Sequence, residues 1–322
     1  MVILPTLGPL HVLHPRYNAR TVTELVISTG ARTVYLASLS REGLEKKIWR
    51  DRNELPLFEL YPLAEEDRLR LEALGVNAES LQHEAELFSE YLSNMPRGEE
   101  AKETLAGIDR ELSEFLSVPR LPSEFADEEF VGGLERILQK QAEFAGEGPA
   151  TGFRQRRMAQ VAEALSEMED AVVLVDVLDY PALMRRLPGA RGPWDREPTK
   201  AEMERALLDR AWRLENEEEW GNLLAQLSEI GSAEAGYLAS QIYLAAGQPE
   251  DSLRLLEEVS RGDFSRPEYL PGYVLARLGQ LYDLVGQRDK ALRAYTAVQA
   301  LSWAPAEVRE IAQAGLRAPF KP

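Results

Sequence analysis

The sequence contains no cysteine and only three histidines in 322 residues. Disulfides, thiolate nucleophiles and cysteine-ligated metal are therefore excluded. Lysine is scarce as well, supplying seven of the 37 basic residues, with arginine supplying the rest. No apolar run approaches the roughly 20 residues that cross a bilayer, so no membrane helix is expected. The opening Met1-Val2-Ile3-Leu4 has no basic stretch ahead of it and is broken by Pro5, Gly8 and Pro9. That does not read as a secretory signal, and a cytoplasmic location is expected. Also missing are a Gly-rich phosphate loop, a Walker lysine, a Gly-x-Ser-x-Gly elbow and a His-Glu-x-x-His pair, which lowers every common enzyme class.

The charge balance excludes more. A net charge of −17 argues against nucleic acid and against an anionic membrane surface, because affinity for polyphosphate comes mainly from cation contacts. A basic or neutral protein or peptide partner is favoured instead. Acidic runs such as Glu65-Glu66-Asp67 and Glu217-Glu218-Glu219 read as solvated helix faces or helix starts.

What is present is most informative in the last third. Leu275, Leu278, Gly279, Tyr282, Gly286, Ala291 and Tyr295 fall on the spacing of a helix-turn-helix tetratricopeptide unit. Gly279 lets the second helix approach the first, Gly286 turns the chain, and Ala291 takes a close-packed place. Gly236, Ala239, Ser240, Tyr243, Gly247, Ser252 and Leu256 form an earlier copy, with Ser240 and Gly279 standing 39 residues apart. The unit itself is about 34 residues long, so the extra residues are assigned to a loop at residues 261–267. Residues 200–215 and 218–230 read as a degenerate first pair, and a helix near residues 306–316 closes the array. The expected groove is lined by first-helix residues, with Tyr237, Gln241, Arg277 and Gln280 as the partner-binding candidates.

Residues 1–197 read as a separate α/β domain with a mostly parallel sheet. Residues 10–13, 33–38 and 170–176 are expected strands, and residues 22–28 an expected crossover helix. From about residue 64 to 145, Leu69, Leu71, Leu74, Leu81, Leu87, Phe88, Leu92, Leu105, Ile108, Leu112, Phe115, Phe130, Leu134, Ile137 and Leu138 recur at threes and fours. This predicts a helical cap, broken at residues 95–98 and 118–122. Residues 153–165 are expected to form a helix leading into the last strand. Residues 198–322 are then the all-α repeat domain.

Gly8-Pro9-Leu10-His11, the strand at residues 34–38, the helix carrying Arg154, Arg156, Arg157 and Met158, and Val172-Val173-Leu174-Val175 followed by Asp176 and Asp179 together resemble the TraB, ChaN and erythromycin-esterase-like superfamily. The resemblance covers roughly residues 1–190. It implies an α/β fold in which a Gly-x-x-His turn follows strand one, an acid ends strand two, and a Gly-His pair ends the late strand. Where family members act as hydrolases, the two histidines and the acid serve as metal ligands or as general acid and base. In this chain His11 alone matches. The strand-two acid falls at Ala37 or Ser38 and the late histidine at Asp179, so a metal centre would need Asp176, His14 or Glu24 as a substitute, and none is expected, nor any cofactor. His14 reads as a hydrogen-bonded structural histidine and His83 as exposed on a helix.

The reading is therefore a non-enzymatic scaffold: a catalytically degraded α/β domain followed by a tetratricopeptide groove. The alternative is a hydrolase at the strand ends that uses His11, Asp176, Asp179 and Arg154 or Arg157, with the arginines forming an anion pocket.

Overall fold

The computed structural model describes residues 1–39, 41–45, 55–74, 98–146, 153–168 and 170–321. Two compact units divide the chain between Glu202 and Met203.

The first unit is built on four parallel strands: β1 (Val2–Thr6), β2 (Thr33–Leu36), β3 (Arg70–Ala73) and β4 (Val172–Asp176), in the order β1-β4-β2-β3. Val172, Val173, Leu174 and Val175 are all buried, as a strand covered on both faces requires. β4 is paired on both edges, Val172 facing Val2 on one side and Val34 on the other. Between β1 and β2 runs α1 (Ala19–Ser28), capped by the Asn18 side chain, which accepts from the Thr21 N–H. This cap satisfies one of the amides that a helix start leaves open. The helices that follow are α2 (Arg41–Glu45) and α3 (Leu55–Glu65) before β3, α4 (Glu99–Ser117), α5 (Glu128–Ala145) and α6 (Phe153–Ser166) before β4, and α7 (Tyr180–Arg186) after it.

Two expectations are corrected here. Residues 10–13 are not a strand: Gly8–Leu13 is a 3-10 turn, and the first strand lies earlier, at Val2–Thr6. Pro5 had read as a breaker, but β1 is an edge strand. The Val2 amide bonds toward β4, at Ala171, whereas the Ile3 amide points the other way, to the Arg191 carbonyl. Alternation places Pro5 on the same side as Ile3, so its missing N–H costs no bond to β4. The second correction concerns the cap. Leu71 lies in β3, and Leu69 and Leu74 flank it, where a helix had been read. A spacing of three over so short a stretch does not separate a helix from a strand. Leu81, Leu87, Phe88, Leu92 and His83 lie outside the described residues, while Leu105, Ile108, Leu112 and Phe115 are on α4 and Phe130, Leu134, Ile137 and Leu138 on α5.

The division between the units falls inside α8 (Lys200–Arg213) rather than ahead of it. The second unit continues with α9 (Trp220–Ile230), α10 (Ala233–Ala245), α11 (Pro249–Arg261), α12 (Leu270–Leu284), α13 (Arg288–Ala300) and α14 (Ala306–Arg317). Among its described residues there is no strand. α10 packs on α11, α12 on α13, and α14 on both α12 and α13.

The turns of the two middle pairs share most of their main-chain bonds. Gly247 and Gly286 both have φ of +74°, a region costly for any residue with a Cβ. Gln248 N donates to Tyr243 O at 2.9 Å and Gln287 N to Tyr282 O at 2.7 Å. Ser252 N donates to Gln248 O and Ala291 N to Gln287 O, at 3.0 and 3.1 Å. The close approach is real at Gly279, where an added Cβ would run into the Tyr295 ring, and the same ring blocks a Cβ at Gly315 on α14.

Candidate functional site

In parallel α/β sheets ligands bind at the carboxyl ends of the strands, and this is where the first unit gathers polar side chains. Asp176 ends β4, and Ser38 follows β2. Ser38 Oγ accepts the Asp176 N–H at 2.9 Å, tying the two strand ends together. Asp176 Oδ1 accepts the Leu178 N–H at 2.8 Å, turning the chain toward α7. Asp179, at the start of α7, is buried and ion-paired with Arg157 from α6. Arg157 Nη2 also stands 3.5 Å from Ser38 Oγ. Asp176, Asp179 and Arg157 are therefore brought together; the Arg154 side chain lies outside the described residues. The adjoining cavity, lined by Thr6, Leu36, Ser38, Leu39, Pro56, Leu57, Leu174 and Asp176, measures about 20 Å³, room for about one water molecule.

His11 is committed to the core. Its Nε2 accepts the Leu7 N–H at 3.0 Å and its Nδ1 donates to the Tyr17 carbonyl at 2.9 Å. Both nitrogens are thus used by backbone, and the ring is fully buried. Burial pushes its pKa down to about 3, so it is neutral at physiological pH. To bind a metal or move a proton, it would first have to break a backbone bond. His14 does not pair with it: His14 Nε2 meets the Leu116 carbonyl at 2.8 Å, and burial lowers its pKa to about 4. Glu24 is bound to Arg20 at 2.6 Å. Among the described residues no three His, Asp or Glu side chains converge as a metal site would require.

In the second unit, three of the four groove candidates are inside. Tyr237, Gln241 and Gln280 are 3, 7 and 8% exposed, and Arg277 is half-buried. Tyr237 packs against Trp212 and Tyr273, with ring centroids 5.3 and 6.1 Å away. Gln241 Nε2 donates to Ser240 Oγ at 3.3 Å.

Beside these rings lies a polar cluster that the sequence reading missed. Arg205 is held by Asp209 at 2.9 Å and forks onto Glu234 at 2.8 and 3.1 Å. Glu234 also accepts from Trp212 Nε1 at 2.6 Å and the Tyr269 hydroxyl at 3.0 Å. Burial alone would raise the Glu234 pKa, but Arg205 and the two ring donors outweigh it and hold the carboxyl below its usual value. The one sequence signal was the Arg205/Asp209 spacing of four on a helix; Glu234 comes from a different helix.

A groove of about 540 Å³ runs between α9, α10 and α11, floored by Ala235, Gly236 and Ala239. Its rim carries Arg254, Glu258 and Asp263.

Compared with known protein families, curated proteins and solved structures, the chain matches none.

Proposed function

We propose that this chain is a protein-interaction scaffold whose second unit is a tetratricopeptide-like array that holds a peptide or protein partner. The observation carrying this reading is the turn that recurs with the same bonds and the same positive φ at Gly247 and Gly286. Helix pairs that repeat in this way are the units that repeat arrays stack into extended contact surfaces. Of the four residues expected to hold the partner, Arg277 alone keeps an accessible side chain, while Tyr237, Gln241 and Gln280 are buried within the array. The net charge of −17 favours a basic partner over nucleic acid.

The first unit is proposed as a degraded member of the TraB, ChaN and erythromycin-esterase-like superfamily. β1 followed by the Gly8–Leu13 turn supports the likeness. Against a hydrolase stand the full commitment of His11 to backbone and the pairing of Asp179 with Arg157.

The test is selection of a displayed random peptide library on the whole chain. Recovered peptides should be basic, and their association should slow as salt rises while dissociation changes little. Recovery of no peptide, together with esterase turnover that disappears in Asp179→Asn, would replace the scaffold with the enzyme.

A further inference from the structure

The two turns of the second unit are alike, but the residues built on them are not. Leu244, Pro249 and Leu256 of the earlier pair stand where Asp283, Arg288 and Tyr295 stand in the later one, at the same 39-residue offset. The earlier pair closes its turn without a charge in those places, so the helix pair itself does not call for them.

Together the three make an acceptor. The Asp283 side chain is 0% exposed. Arg288 Nη1 lies 2.9 Å from each of its oxygens, and the Tyr295 hydroxyl donates to Oδ2 at 3.0 Å. The remaining donor comes from outside the pair: the main-chain N–H of Phe320, 2.8 Å from Oδ2. Arg288 Nη2 in turn donates to the Gly315 carbonyl at 2.6 Å, in the last turn of α14. Ala318, the residue after α14, has φ −149° and ψ 149°. Within residues 318–321, Phe320 is half-buried and Ala318, Pro319 and Lys321 are exposed. The main-chain N–H of Phe320 thus ties the segment after α14 to a buried carboxylate, a charge-assisted bond of the stronger kind.

We propose that Asp283, Arg288 and Tyr295 form a receptor for the main-chain N–H of a peptide segment, and that residues 318–321 are the ligand this chain supplies to itself. The proposal rests on the reading of the second unit as a peptide-binding array. A tethered ligand has an effective concentration on the order of millimolar, so an outside peptide with the same contacts competes only once the segment is displaced.

The probe is a fluorescein-labelled peptide, Leu-Arg-Ala-Pro-Phe-Lys, titrated by anisotropy into the whole chain. Phe320→Pro removes the N–H that Asp283 accepts and should tighten binding of the probe at least tenfold over the unaltered chain. Adding Asp283→Asn to that variant should return binding to the unaltered level. No gain in Phe320→Pro, with helical circular dichroism and melting unchanged, overturns the receptor. Amide exchange of Phe320 in the unaltered chain supplies a second reading that does not depend on how the variant folds. Protection is expected, and exchange at the rate of an unstructured peptide would overturn the proposal. Library-selected peptides that bind the unaltered chain and ignore Asp283→Asn would keep the array reading while the receptor fails.

Discussion

The two units differ in the ionisable groups they bury, two histidines beside the Arg157–Asp179 pair in the first and clustered ion pairs in the second. The first keeps His11 and His14 neutral and bonded to backbone, with pKa values lowered to about 3 and about 4 by burial. The second pairs its groups with one another: Arg205 with Asp209 and Glu234, and Asp283 with Arg288. A neutral buried imidazole is undemanding at pH 7 and fails when a proton is offered. A buried ion network tolerates that proton range but needs each of its partners.

The largest expected effect comes from removing one such partner. Glu234→Leu leaves Arg205 with Asp209 alone and takes the acceptor from Trp212 and Tyr269. The expected cost is about 3–5 kcal/mol in a denaturant titration. Replacing both partners, Arg205→Met with Glu234→Leu, should recover much of it. A single variant as stable as the parent would show that the network is ornamental to folding.

Acid should separate the units next. The folded-state pKa values of His11 and His14 lie below the ordinary 6.5, so the unfolded chain takes up protons first. Their contribution is whole above about pH 6.5 and is lost as pH falls toward about 4 for His14 and about 3 for His11, at up to about 1.4 kcal/mol per pH unit for each histidine. Glu234 has its pKa lowered below 4.5, so its share is kept above that value and lost below it. Amide exchange at pH 7 and pH 5, corrected for intrinsic rates, should therefore lose protection in the first unit and keep it in the second. Equal losses in both would erase the distinction.

A smaller comparison lies within the second unit. Gly279→Ala drives a methyl into the Tyr295 ring and should cost about 1–3 kcal/mol. Ser240→Ala at the matching place of the earlier pair removes the hydroxyl's bond to the Tyr237 carbonyl and its longer bond from Gln241 Nε2, about 0.5–1.5 kcal/mol for each. Unfolding midpoints decide it, and a negligible cost for Gly279→Ala would mean that Tyr295 moves aside.

Features governed by local physics were legible in the sequence. Gly247 and Gly286 announce their turns because a positive φ is available to glycine at little cost. The run at Val172–Asp176 announces a doubly covered strand because four consecutive apolar residues leave no face for water. α6 and the helices from α8 onward follow their apolar spacing for the same kind of reason.

What depended on partners distant in sequence was not legible. Pro5 is tolerated because β1 became an edge, and β1's partner is 170 positions along the chain, as in Val2 facing Val172. His11 carries the same residue type as a metal ligand; the Leu7 amide and the Tyr17 carbonyl, brought to its two nitrogens by the 3-10 turn, make it structural. Glu234 and Asp283 looked like two more acids in an acidic chain. Only the packing of α8 beside α10, and of α12 against α13 and the segment after α14, enclosed them, and once enclosed a carboxylate has to be matched donor by donor. Sequence alone determined where the chain turns and which faces are apolar; tertiary structure decided which polar groups lost their water, and so which of them can act.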